Sequence, residues 1–234
     1  MVLTEADLVT VKKQLQGIAQ ARFNALDKLS IETLDFNPFL LRLLGFETPR
    51  EIAEFMVTQR TERGAVTSYG QRIQTIAKLI TTRGTGVEGA DICKEKNGRR
   101  YYIQMKAGPN TPDKDILQQI NTLLQGAIRR NHGSVALLGM TYGKRDRVSS
   151  IIQKYSQINW LIGKEFWEFI SDDPHFARTL FEIVQDISDN YIPDGGLPFH
   201  QRYAQKVDEL TRQIQQKYGD GGPEMWEKIF QDNL

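Results

Sequence analysis

Cysteine is almost absent from this chain. The single residue, Cys93, excludes an internal disulfide and any multi-cysteine zinc site. Histidine is scarce too: His132, His175 and His200 are too few for a histidine-built metal centre, and none is assigned to catalysis. No apolar run reaches the length of a bilayer span, so no membrane association is expected. The opening residues, MVLTEADLVTVKK, lack the basic-then-apolar pattern of a secretory signal. A reducing, cytoplasmic compartment fits these features. Net charge is also nearly missing, at +1 over 234 residues. What is present is ordinary for a folded globular chain: 40% hydrophobic and 25% charged residues, in a length sufficient for one sizeable domain.

The near-zero net charge hides an uneven distribution. Residues 60–147 carry sixteen Lys and Arg against seven Asp and Glu, while the remainder carries fourteen against twenty-two. A block with an excess of nine positive charges points to a polyanionic partner. The plain alternative is a chance cluster of solvated side chains.

Periodicity predicts the elements. Apolar residues from Leu8 to Leu26 recur at helical spacing behind Thr4, a candidate N-cap. Asn37-Pro38 breaks the chain before a short apolar run ending at Gly45. Thr48-Pro49 starts a helix expected to run to about Arg60, with Gly64 as an interruption and a further helix from about Ser68 to Thr81. Two strands follow, near 87–95 and 99–106, joined by Asn97-Gly98, the dipeptide that a type I′ turn favours. A helix is expected from Asp113 to about Asn131. The continuous apolar run SVALLGMTYG reads as a central strand buried on both faces. A charged loop at 144–147, a short helix to Tyr155, a strand over 158–162 and a helix from Lys164 come next. Helices near 175–190, 198–218 and 223–232 close the chain. The order implies a mixed α/β core with helices on both sides and further helices toward both ends. It is expected as one domain over 1–234, with a helical part to 82, a catalytic core over 83–170 and a helical part from 171.

The hairpin carries the candidate chemistry. Asp91 lies on its first strand, and Gln104 and Lys106 share one face of the second, because side chains alternate with a period of two. Phosphodiester hydrolysis needs a divalent cation, an activated water and a positive group near the developing charge. Mg²⁺ takes oxygen donors and keeps several waters, so few protein ligands suffice. Asp91 offers a carboxylate, Gln104 an amide oxygen and Met105 its backbone carbonyl, with Glu88 as a further acid. Lys106 is the cation that would polarise the water or balance the phosphate. The bland reading is that an acid, an amide and a lysine meet on a hairpin by chance, since a lysine on a strand is usually a solvated edge residue. Cys93 is expected to pack, and Trp160, Phe166, Trp167 and Phe169 to be core residues.

The hairpin and its context resemble the PD-(D/E)xK nuclease superfamily. They are most similar to type II restriction endonucleases that cut GG…CC palindromes with a degenerate centre, of the RGGNCCY or GGNCC kind. Asn37-Pro38-Phe39, Thr67-Ser68-Tyr69-Gly70, Asp91, Gln104-Met105-Lys106-Ala107-Gly108, Gln119-Ile120-Asn121, Tyr142-Gly143 and Gly163-Lys164-Glu165-Phe166-Trp167 carry the resemblance in order. It implies a restriction-endonuclease-like α/β fold, with a central mixed sheet flanked by helices and extra N- and C-terminal helices, a homodimer around double-stranded DNA and Mg²⁺-dependent cleavage of both strands. Asp91 would be a metal ligand, Gln104 the middle ligand and Lys106 the catalytic lysine. Gln104 departs from the Glu or Asp usual there, which leaves Glu88 or Glu62 to supply the missing charge.

For reading G·C pairs, Lys144, Arg145, Asp146 and Arg147 combine guanine-reading and cytosine-reading side chains. Asn110, Thr111, Asp113 and Lys114 follow the catalytic strand and are candidates for bases or phosphates. Arg60, Arg63, Arg83, Arg99 and Arg100 are candidate phosphate contacts, which position DNA without reading it. Two rival functions fit the same residues: a repair or recombination nuclease without sequence preference, and a non-catalytic DNA-binding protein on a decayed nuclease core.

Overall fold

A computed structural model describes residues 4–81, 89–110, 112–193 and 196–234. Glu88, Arg83 and Thr111 fall outside that set.

Nine helices and four strands are formed among the described residues: α1 Glu5–Asp27, α2 Pro38–Leu43, α3 Pro49–Thr81, β1 Ile92–Lys96, β2 Arg99–Lys106, α4 Lys114–Arg130, β3 Val135–Met140, α5 Ser150–Tyr155, β4 Asn159–Ile162, α6 Lys164–Ser171, α7 Phe176–Asn190, α8 Phe199–Tyr218 and α9 Gly222–Asn233. Single 3-10 turns span Ile31–Thr33 and Arg145–Arg147, the latter within the expected charged loop. The predicted N-cap of α1 is present and reciprocal. Asp7 N–H donates to Thr4 Oγ1 at 3.2 Å, and Asp7 Oδ2 accepts from Thr4 N–H at 3.0 Å.

One expectation is corrected. Residues 49–81 form a single 33-residue helix rather than two helices broken at Gly64. An interior glycine costs a helix only about 1 kcal/mol. Gly64 lies so close to α1 that a Cβ there would meet the Ala25 methyl at 3.6 Å. Helix-to-helix packing outweighs the local propensity.

The sheet has the order β1-β2-β3-β4. β1 and β2 are antiparallel, whereas β2-β3 and β3-β4 are parallel, so the sheet is mixed as the resemblance implies. β3 is the buried inner strand expected from its apolar run. One sheet face, with Tyr102, Ala136, Leu138, Met140 and Ile162, packs on Leu117, Ile120, Leu124 and Ala127 of α4. On the other face Gly139 lies against Phe166 of α6, where a Cβ would sit 2.2 Å from the ring.

The chain condenses into two compact units. The first takes the residues up to Gly17 together with Tyr69–Asp189 and contains the whole sheet. The second takes Ile18–Ser68 and Asn190–Leu234 and is helical. The second unit's core joins Leu26, Leu41, Ile52, Val57, Leu210, Ile214 and Ile229. No described helix is long and apolar enough to cross a membrane.

Candidate active site

The hairpin forms as its turn residues dictate. Asn97 and Gly98 have φ of 51° and 72°, the double left-handed geometry of a type I′ turn. Ladder pairing runs from Lys96 with Arg99 to Ile92 with Ile103. Gln104 and Lys106 pair with Leu138 and Met140 of β3, so both project on the α4 side of the sheet. Tyr102 on that face is fully buried, whereas Gln104 and Lys106 are half-buried, so the face opens toward the end of β2.

Asp91 stands immediately before β1. Its N–H donates to Ile103 O at 2.9 Å, and its Oδ2 accepts from Met105 N–H at 2.8 Å. The β1 ladder has ended at this level, and the carboxylate supplies the acceptor that the Met105 amide needs. The acid is thereby fastened to the β2 backbone between Gln104 and Lys106. Among the described residues, no three Asp, Glu, His or Cys side chains gather into a metal-binding group. The donors at this place are instead the Asp91 carboxylate, the Gln104 amide and the Met105 carbonyl. An all-oxygen set of this kind suits Mg²⁺ and would not select zinc or copper. Of the two candidate second acids, Glu88 is outside the described residues and Glu62 belongs to the other unit.

Behind Asp91, β1 is secured by charge. Lys94 is buried, pairs with Asp172 and donates to Ile170 O at 3.1 Å. Lys96 reaches the other Asp172 oxygen at 2.8 Å. Burial pushes the Asp172 carboxyl up, but hydrogen bonds and charge from the two lysines outweigh it and hold the group below the ordinary aspartate range. Partial burial raises the Cys93 thiol, which argues against a nucleophile and agrees with a packed role. Phe166 and Trp167 are buried as expected, while Trp160 and Phe169 are partly exposed.

Sequence reasoning missed Thr141. It follows β3, is buried, and its N–H is shared between Lys106 O at 3.2 Å and Ala107 O at 3.1 Å. Its hydroxyl donates to Ala107 O at 2.6 Å, and the Trp167 indole N–H donates to Thr141 O at 2.8 Å. The signal was available only indirectly, because Tyr142-Gly143 and Gly163–Trp167 flank this contact in the motif order.

The candidate DNA contacts differ in how committed they are. Asn110, Lys144, Asp146 and Arg147 are exposed. Asp113 caps α4, with Oδ1 accepting from Ile116 N–H at 2.8 Å. The Lys114 ammonium lies 5.0 Å from the Tyr155 ring centroid. Arg145 is held by Glu165, with Nε 3.0 and 2.9 Å from its two oxygens, and stacks 4.6 Å from the Trp160 centroid. Arg100 is paired with Glu95, while Arg99 is exposed. Arg60 and Arg63 are exposed on the α3 segment of the helical unit.

A four-stranded mixed sheet flanked by helices is consistent with the restriction-endonuclease-like fold. The sequence model of the Type II restriction endonuclease EcoO109I family matches residues 7–191, and the chain belongs to that family. Membership places it among type II site-specific nucleases, which act on DNA. Comparison with curated proteins finds no match.

Proposed function

We propose that this protein cleaves both strands of double-stranded DNA at a short, G/C-containing palindrome, using Mg²⁺, and that the whole chain serves this one nuclease activity. The observation that carries the reading is the Asp91 carboxylate anchored on the Met105 amide, with Gln104 and Lys106 on either side.

The bound Mg²⁺ would neutralise charge on the scissile phosphate and lower the pKa of a coordinated water. Asp91, through the oxygen not engaged by Met105, the Gln104 amide oxygen and the Met105 carbonyl would hold the ion. The Lys106 ammonium orients the attacking water and offsets charge accumulating on the phosphate oxygens. A neutral Gln104 contributes less attraction than a carboxylate, so a higher Mg²⁺ requirement than for an all-acid site is expected.

A palindrome has two-fold symmetry, and a two-fold homodimer presents one such site to each strand. An apolar surface groove of about 620 Å³ on the helical unit, lined by Phe39, Leu43, Trp226 and Phe230 among others, is a surface of the kind that joins copies. Lys144, Asp146, Arg147, Asn110 and Thr111 are the proposed base and phosphate contacts, joined by Asp113, Lys114, Arg145, Arg63 and Arg83.

Digestion of a mapped DNA with Mg²⁺ tests the reading. Discrete bands are expected, and a smear would replace site specificity with a non-specific nuclease. Lys106→Ala is expected to leave DNA binding intact and abolish cleavage. A variant that cuts at the normal rate would remove Lys106 from the site.

A further inference from the structure

The motif pieces that carry no chemistry of their own converge at the C-terminal end of β2. Tyr69 of α3 places its hydroxyl 3.2 Å from Thr141 Oγ1. The Thr141 hydroxyl has one proton, and that proton is donated to Ala107 O at 2.6 Å. Tyr69 is therefore the donor in its contact with Thr141. Burial pushes the Tyr69 phenol up, ahead of the opposing hydrogen bond from Thr141, which keeps it protonated for that task.

From the other side the Trp167 indole fixes the Thr141 carbonyl. That contact requires the loops after β3 and β4 to touch. Gly163 makes this possible: its φ is 56°, its N–H donates to Met140 O at 2.9 Å, and a Cβ there would lie 2.7 Å from Gly143 O. Thr141 is thus held on both sides. It uses its amide and its hydroxyl together on the carbonyls of Lys106 and Ala107.

We propose that Thr141 is a positioning residue for Lys106, locking the backbone at the point where the catalytic strand ends so that the ammonium is presented in one direction. The proposal rests on the assignment of Lys106 given above. Without the hydroxyl, the Ala107 carbonyl keeps only the shared Thr141 amide, the hold of residues 106–107 on the end of β3 loosens, and the lysine samples a wider arc. Loss of orientation at a reacting centre lowers the chemical step while leaving substrate affinity in place. A residue that only stabilised the fold would change melting temperature and leave the cleavage rate of the folded protein untouched.

The test compares Thr141→Val, which keeps the shape and removes the hydroxyl, with Thr141→Ser, which restores the hydroxyl, alongside Tyr69→Phe and Lys106→Ala. Single-turnover cleavage is measured at saturating Mg²⁺, and DNA affinity is measured with Ca²⁺ in its place. Thr141→Val is expected to slow cleavage by about tenfold or more, as orientational losses do, with affinity within about twofold. Thr141→Ser is expected to recover most of the rate, and Tyr69→Phe to show a smaller loss in the same direction. Should Thr141→Val fail to fold, Thr141→Ser and Tyr69→Phe carry the test, and a normal rate in Tyr69→Phe then overturns the clamp. An inactive Lys106→Ala beside a fully active Thr141→Val overturns only the positioning role. A fully active Lys106→Ala overturns the lysine assignment, and the positioning role with it.

Discussion

The two units differ in where their polar groups are buried. Of the seven buried polar or charged residues described, Asp7, Thr81, Lys94, Asn121, Thr141 and Ser171 lie in the sheet-containing unit and only Thr61 in the helical one. Thr61 merely returns its hydroxyl to Val57 O of its own helix at 2.9 Å. In the sheet-containing unit Thr81 and Ser171 likewise return their hydroxyls to carbonyls four residues back, but three others tie distant segments together: Lys94 to Asp172, Asn121 to Tyr155 and Gln157, Thr141 to Ala107. Both units carry exposed ion pairs, Arg50 with Asp208 and Lys217 with Asp232 in the helical one and Arg178 with Glu182 in the other. Buried polar networks add little net stability but fix geometry, because each unmet partner is costly. The sheet unit is thus built for orientation, as chemistry requires, and the helical unit for cohesion.

A matched pair of substitutions breaks this contrast most severely if it is wrong. Asp91→Asn keeps an oxygen for the Met105 amide, so melting temperature should change little. It removes the charge, and cleavage should fall on the order of a thousandfold, the scale of several kcal/mol of metal-derived stabilisation. Leu210→Ala removes a fully buried side chain from the helical core and should cost about 3 kcal/mol of stability in denaturant unfolding. Its single-turnover cleavage rate at low temperature should stay near that of the unaltered protein. A large rate loss in Leu210→Ala, or a normal rate in Asp91→Asn, would dissolve the division of labour.

The Lys94–Asp172 pair sharpens the comparison next. Asp172→Asn leaves the buried Lys94 ammonium uncompensated and should cost about 2 kcal/mol, less than loss of a fully buried partner because Asp172 keeps 37% exposure. Asparagine tolerates the left-handed backbone that Asp172 adopts, at φ 60°, so backbone strain does not confound the result. The aspartate titrates lower in the folded state than in the unfolded one. Its contribution is therefore fully present above the ordinary aspartate value of 3.8 and is lost as pH falls through the lower folded value. The gap between the two proteins' melting temperatures should be widest at neutral pH and close under acid conditions. A gap that grew on acidification would contradict the assignment.

Local patterns made much of this legible. The hairpin was read from Asn97-Gly98 and the alternation of β2, and α4 from its apolar face, because both are encoded by near neighbours. The juxtaposition of Asp91, Gln104 and Lys106 is legible for the same reason: strand period and turn position alone bring them together. The single helix α3 was not legible, since Gly64 is a local breaker whose cost of about 1 kcal/mol is outweighed by the rest of a 33-residue helix. The first strand begins at Ile92, later than the expected position near 87. The pairing of Lys94 with Asp172 spans 78 positions and that of Thr141 with Ala107 spans 34, separations at which only the folded topology chooses partners.

The smallest effect distinguishes capping from recognition within one side chain. Asn37 caps α2 through Leu40 N–H at 2.9 Å, and Asp113 caps α4 through Ile116 N–H at 2.8 Å. Replacing either by alanine should cost about 1 kcal/mol, the usual worth of an N-cap. Serine at either position retains a capping oxygen and should restore the melting temperature. Asn37→Ser belongs to the helical unit and should leave DNA selection untouched. Asp113→Ser lies beyond the catalytic strand and removes an acceptor suited to cytosine, so it should lower discrimination between the cognate site and scrambled DNA by about 1 kcal/mol or more. Competition binding with Ca²⁺ measures this directly. If Asp113→Ser discriminates as the unaltered protein does, Asp113 is a helix cap alone, and base reading moves to Lys144, Asp146 and Arg147.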